Sequence, residues 1–400
     1  MCENKDIIFI ISKLAGGGAE HVVFRLSDEM VNMGYRVTII SVNTLKNANL
    51  YGMNPQIDTF SLADNIVNVK TPKFNKIAGS LSRYICKSFE CINRRPPMFL
   101  AEKSFLAIYG TYIECMKEYM QKKKKASVIA FLRPSTNIAL LALKDLPNKL
   151  IVSERGNPER LLCDRYGQTF LKKYYKRANC LVCQTPDSEM FFRKMVPDCQ
   201  IQIIPNPIAG NIPKVFGGER SHRVVNFCRF SPEKNIPLLI EAFSLFNKIY
   251  SEYTLELYGD IDNPAAKHTL LKVKENIIKY DIKDKVKLFA FQDKILDVVR
   301  DAAMFVSTSD FEGMSNSMLE AMAIGLPTIC TDCPAGGARM IIQNYVNGIL
   351  VPVGDAYAVS EAMKKVAEDL ILAKKISNNG VKLREKLCIS KITEEWVNLL

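Results

Sequence analysis

The stretch from Ala303 to Pro334, AMFVSTSDFEGMSNSMLEAMAIGLPTICTDCP, narrows the choice of fold more than any other part of the chain. Ala303–Val306 is an apolar run suited to a buried parallel strand, and Ser307–Ser315 is a polar, glycine-containing loop. Ser315 or Asn316 can cap a helix that Gly325 and Pro327 bring to a stop, and Thr328–Cys330 then begins another strand. Strand, loop, helix and strand in so short a span is the repeating unit of a parallel sheet covered by helices.

The same alternation fills the rest of the chain and splits it into two halves. The first begins with strand Ile7–Ile11, the turn Gly16-Gly17-Gly18 and a helix from Ala19 to Met33 that Gly34 ends. Further strands are predicted at Val37–Val42, Val128–Leu132, Leu150–Ser153, Cys180–Gln184 and Ile201–Ile204. The second half repeats the pattern at Val224–Cys228, Leu255–Tyr258, Lys285–Phe289, Ala303–Val306, Thr328–Cys330 and Ile349–Val351. Between them Pro205 through Arg220, rich in Pro and Gly, reads as a linker. The expected fold class is α/β, with a Rossmann-like domain over 1–208, a linker at 209–219 and a second Rossmann-like domain over 220–385.

The chemistry concentrates in the second half. Glu312 lies in the loop and Glu320 further along the helix, and either can hydrogen-bond neutral hydroxyls. Between them Gly313, Met314, Ser315, Asn316 and Ser317 lead into a helix N-terminus, whose amides favour phosphate oxygens. Hydroxyl, phosphate and hydroxyl sites in a row outline a nucleotide-sugar. The alternative is an acid-rich loop kept for solubility and the helix dipole. Earlier in the same half, Cys228-Arg229-Phe230-Ser231-Pro232-Glu233-Lys234-Asn235 places Arg229 and Lys234 at the carboxyl end of a strand. Two fixed cations there suit a pyrophosphate and can neutralise the charge that grows on a diphosphate leaving group. Gly17 and Gly18 can let the backbone approach a sugar or phosphate, or simply make a tight strand-to-helix turn with no ligand. They form a poor dinucleotide fingerprint, because His21 takes the third glycine position and Ser41-Val42-Asn43 offers no ribose-binding acid.

Phe311 through Ser317, Glu320 through Ala323 and Gly325-Leu326-Pro327 closely resemble the donor-site signature of the family-four retaining glycosyltransferases, whose two glutamates are separated by seven residues as Glu312 and Glu320 are here. Thr331 through Gly337 looks like the variant of bacterial capsule, O-antigen and exopolysaccharide assembly enzymes, Gly17 through Glu20 resembles the family's first loop, and Arg229 and Lys234 match its phosphate-binding pair. The resemblance implies a GT-B architecture: two facing Rossmann-like domains with a cleft between them and a C-terminal helix, about 386–400, crossing back to the first. It implies that Glu312 holds the sugar, Glu320 the ribose, and Arg229 with Lys234 the diphosphate. Transfer of a hexose or N-acetylhexosamine from a UDP-sugar, with retention, to a polyprenyl-diphosphate-linked glycan is the implied reaction. Many relatives place a His at the end of a first-domain strand, and here Arg155 stands in its place. Arg155 either contacts the donor or makes a buried corner with Ser153.

Composition sets the remaining expectations. The chain has 400 residues, a net charge of +12, 48% hydrophobic and 24% charged residues, which suits two globular domains and anionic partners. Twelve cysteines fit a reducing compartment, and Cys180/Cys183, three residues apart on a strand, point to opposite faces and cannot chelate one ion together. No cofactor and no metal are expected. No apolar run is long enough to span a bilayer. The expectation is a cytoplasmic protein, peripheral at the inner membrane face; Lys76–Arg95 reads as a basic amphipathic helix that suits a membrane surface and packing on a domain equally well. Two other classes remain open. A sugar-nucleotide epimerase or phosphorylase could share the fold, although no lysine for pyridoxal phosphate is identifiable. A basic membrane- or nucleic-acid-binding module is the other, and carboxylates in its binding site would repel a polyanion.

Overall fold

A computed structural model describes residues 5–14, 17–46, 53–66, 97–162 and 167–400. The basic segment Lys76–Arg95 lies outside them. The chain forms two compact units, Met1–Pro205 with Ile392–Leu400, and Asn206–Lys391.

The first unit is built on a seven-stranded sheet: β1 Asp6–Ile11, β2 Arg36–Ser41, β3 Asp58–Ser61, β4 Ser127–Phe131, β5 Leu150–Ser153, β6 Cys180–Cys183 and β7 Ile201–Ile203, in the order β3-β2-β1-β4-β5-β6-β7. All its pairings are parallel. The central strands are apolar on both faces, since helices cover both sides: Ile7 through Ile11 are each at most 1% exposed. β3 is not among the strands expected from the sequence. Asp-Thr-Phe-Ser is short, polar and at the sheet edge, where neither a continuous apolar run nor clean alternation is required.

The second unit has six strands: β8 Ser221–Phe227, β9 Thr254–Tyr258, β10 Val286–Phe289, β11 Ala302–Ser307, β12 Thr328–Thr331 and β13 Ile349–Val351. Their order is β10-β9-β8-β11-β12-β13, again wholly parallel. Helix Ile236–Asn247 buries Leu239, Ile240, Phe243 and Phe246 against this sheet, and helix Ala356–Glu368 buries Val359 and Met363 in the same core.

The final helix, Ile389–Val397, carries the chain back to the first unit. Its Trp396 is fully buried and stacks on Phe131 at the end of β4, ring centres 5.5 Å apart. Lys149 Nζ donates to the Leu400 carbonyl at 3.0 Å and holds the end of the chain. Among the described residues no helix is long and apolar enough to cross a membrane.

Each sheet reverses direction once. In the first the reversal lies between β1 and β4, in the second between β8 and β11, and loops leaving the carboxyl ends of such neighbours frame the natural ligand position of an open α/β sheet.

Candidate donor site

In the second unit, β8 ends at Phe227, and Cys228–Ser231 leads into the turn Pro232–Lys234. Asn235 follows in the left-handed region at φ 41°, a conformation that Asn accepts more readily than most side chains, and helix Ile236–Asn247 starts directly after it. The loop after β11 is laced to this turn. Thr308 Oγ1 donates to the Asn235 carbonyl at 3.0 Å and the Asp310 amide donates to the Glu233 carbonyl at 2.9 Å. Asn235 Nδ2 donates to Asp310 Oδ1 at 2.8 Å. Two loops from neighbouring strands thus behave as one surface.

At its centre Lys234 and Glu312 form an ion pair. The Lys234 side chain is only 9% exposed, and Glu312 also accepts from Ser309 Oγ at 3.2 Å. Burial works against the Lys234 ammonium, but the Glu312 charge beside it, the Cys228 thiol and the hydrogen bond to Glu312 outweigh that penalty and leave its pKa raised. Lys234 is therefore a fixed cation in a partly desolvated place, where charge acts strongly. Arg229 is different. Its side chain is 71% exposed and its guanidinium lies 3.5 Å from Glu233, a loose contact that leaves it able to swing to a ligand. Glu233 is held by Ser231 Oγ at 2.6 Å; burial pushes its carboxyl up, yet this bond and nearby cations bring the pKa below the usual range.

The helix Asn316–Ala323 begins beside this pair. Ser315 is its N-cap, accepting from the Met318 amide at 3.4 Å, and Glu320 is partly buried further along the same helix. Gly313 is packed under the loop that carries Gly337, where an added Cβ would run into the Gly313 carbonyl. Ala335 and Gly336 reach that approach through positive φ, 75° and 72°. Asn206 closes the other side, its Nδ2 donating to the Met314 carbonyl at 3.0 Å and to Asn316 Oδ1 at 2.7 Å. The resulting recess is lined by Ser307, Ser309, Glu312, Ser315, Thr331 and Cys333. Burial raises the thiol pKa of both Cys330 and Cys333, the latter to about 11, so these are inert side chains. Among the described residues no group of three His, Cys, Asp or Glu could hold a metal ion.

Of the residues singled out from the sequence, Arg229, Lys234, Glu312, Gly313, Met314, Ser315, Asn316, Ser317 and Glu320 all lie on these two loops and the one short helix. Gly17, Gly18 and Arg155 belong to the first unit. Gly17 caps helix Gly18–Asn32 at φ −81°, so no unusual backbone requires glycine there; rather, the Glu20 carboxylate folds back into the space a Cβ would fill. Arg155 donates to the Ile204 carbonyl at 3.3 Å, with its guanidinium 5.6 Å from the Phe131 ring centre and 6.0 Å from that of Trp396. Sequence reading passes over Asn206, Ser309, Thr308 and Asp310, which hold the loops together. Asn206 sits between two prolines and looks like linker, and its partners are 108 and 110 residues away.

Residues 213–383 match the family model described as glycosyl transferases group 1. Across nearly full length, 98% of both chains, the protein is 23% identical to a Campylobacter jejuni enzyme named GalNAc-alpha-(1->4)-GalNAc-alpha-(1->3)-diNAcBac-PP-undecaprenol alpha-1,4-N-acetyl-D-galactosaminyltransferase. Over half of the chain it is 26% identical to the GtfA subunit of a Limosilactobacillus reuteri UDP-N-acetylglucosamine–peptide N-acetylglucosaminyltransferase, of whose length the match spans 39%. Among solved structures, Anabaena Alr3699/HepE in complex with UDP and glucose superposes with a TM-score of 0.75 at 16% identity over 98% of both chains. That likeness fixes the fold as GT-B.

Proposed function

We propose that the chain is a glycosyltransferase, a reading supported by its matched segment 213–383 and its fold, and we propose with it a donor, an acceptor and a reaction course. The donor is a UDP-linked hexose or N-acetylhexosamine, a choice supported by the UDP bound to the HepE neighbour. Arg229 and Lys234 take its diphosphate, Glu312 its sugar hydroxyls and Glu320 its ribose. The acceptor is a polyprenyl-diphosphate-linked glycan at the inner membrane face, in surface polysaccharide synthesis. The near-full-length Campylobacter relative, whose name places its acceptor on PP-undecaprenol, supports that choice.

The observation that carries the reading is the Lys234–Glu312 pair at the joined ends of β8 and β11. In the donor complex the bond from the sugar's anomeric carbon to the diphosphate breaks, and negative charge grows on the departing oxygen. A buried lysine with raised pKa stabilises that charge, and Arg229 adds a second, mobile cation. As the ammonium turns to phosphate, Glu312 is released to accept hydrogen bonds from the sugar. The acceptor hydroxyl attacks from the face the leaving group vacates, and its proton passes to the departing phosphate oxygen. This course retains configuration and requires neither a covalent enzyme intermediate nor a metal.

A panel of UDP- and GDP-sugars assayed against short polyprenyl-diphosphate-linked acceptors tests the reading. Consumption of one UDP-sugar, with an α-linked product by NMR from an α-linked donor, is expected. Hydrolysis or epimerisation without transfer would replace it with the epimerase-like alternative.

A further inference from the structure

Asn206 is 4% exposed and stands at the point where the chain enters the second unit. Pro205 and Pro207 flank it, and the residue before a proline is confined largely to extended backbone, so its side chain is aimed with little freedom. Three of its hydrogen bonds converge on one place. Its amide donates to Met314 Sδ at 3.3 Å, and its Nδ2 donates to the Met314 carbonyl at 3.0 Å and Asn316 Oδ1 at 2.7 Å. Those residues flank Ser315, the cap of the helix that opens beside Glu312.

A trans peptide points its carbonyl and its N–H to opposite sides. Holding the Met314 carbonyl therefore turns the Ser315 N–H away from Asn206, while Gly337 packs so close to the preceding Gly313 carbonyl that a Cβ would collide with it. We infer that Asn206 is a positioning residue for the donor. It fixes the peptide between Met314 and Ser315 so that the amides at the helix start are preset for the nucleotide's phosphates, and it makes the first residue of the second unit part of the donor loop. This role rests on the donor-site reading above.

The test is calorimetric titration of UDP into the whole protein, wild type beside Asn206→Ala and Asn206→Asp, with Ile240→Val as a core control that lowers stability away from the loop. Asn206→Ala should bind UDP about tenfold more weakly, the effect of losing a few hydrogen bonds that preset a site. Asn206→Asp should bind more weakly still, because its oxygens would face the Met314 carbonyl and Asn316 Oδ1. Asn316→Ala should cost less in the Asn206→Ala background than alone. Ile240→Val should lower the melting temperature and leave UDP affinity unchanged. Wild-type binding that both Asn206 variants retain would overturn this inference alone. Absence of wild-type binding would overturn the donor-site reading together with it.

Discussion

The two sheets share a strand order around their reversal points, yet the loops at those points are fastened by different chemistry. Between β1 and β4 the first unit joins its loops with hydroxyls: Ser12 Oγ donates to the Arg133 carbonyl at 3.2 Å and lies 3.5 Å from Ser135 Oγ, which itself donates to the Phe131 carbonyl at 2.6 Å. Between β8 and β11 the second unit joins them with a buried ion pair and a lattice of Asn, Asp and Thr. Topology supplies the position twice; the first copy carries Lys13 and Arg133 on its loops, and the second sets Lys234 in a buried ion pair with Glu312. Strand order therefore nominates a ligand position, and the side chains decide whether it is used for an anion.

Changing the buried ion pair of the second unit should have the largest effect. Lys234→Ala removes the buried cation and leaves Glu312 without its ion-pair partner, and kcat/KM for the donor should fall by a factor on the order of a thousand. A fall of less than tenfold in steady-state kinetics would show that the ion pair is scaffolding. In the first unit the largest change is one of stability. Trp396→Ala opens a cavity beneath Phe131 and Arg155 and should cost about 3–5 kcal/mol in denaturant unfolding. UDP affinity of the remaining folded protein should not change, and a parallel loss of affinity would mean that the units are not separable in this respect. Arg229→Ala should weaken UDP binding by about tenfold with no change in melting temperature, since its pairing with Glu233 is a loose surface contact. Ser135→Ala, at the hydroxyl-joined reversal point of the first unit, should cost about 1 kcal/mol of stability and leave UDP binding untouched. The smallest effect concerns pH. Lys234 has a raised pKa, so its contribution to stability is present below the unfolded lysine value and is lost only as pH rises through the higher folded one. UDP affinity should accordingly stay level through neutral and mildly alkaline pH. A loss of affinity near neutral pH, followed by calorimetry, would point to a different cation.

How much of this is readable beforehand follows the range of the interactions. Ile7–Ile11 and Ala303–Val306 announce central strands because burial on both faces demands unbroken apolar runs. Glu312, Lys234 and Arg229 are legible because each sits a short, fixed distance from such a strand end. β3 is not, because an edge strand as short as Asp58–Ser61 leaves no pattern to read. Arg155 has two readings in sequence, and the structure places it against Phe131 and Trp396, which lie far from it along the chain on either side. Asn206 reads as linker for the same reason: nothing near it in sequence shows where its side-chain amide goes. Local pattern carries elements and motifs, whereas the fastening between loops is a long-range property.

Which reversal point holds the diphosphate is the central question, and amide hydrogen exchange with and without saturating UDP addresses it directly. Slowed exchange over 229–236 and 309–318, with 17–22 and 132–137 unchanged, is the predicted result. Protection confined to 17–22 and 132–137 would contradict it and move the nucleotide to the first unit.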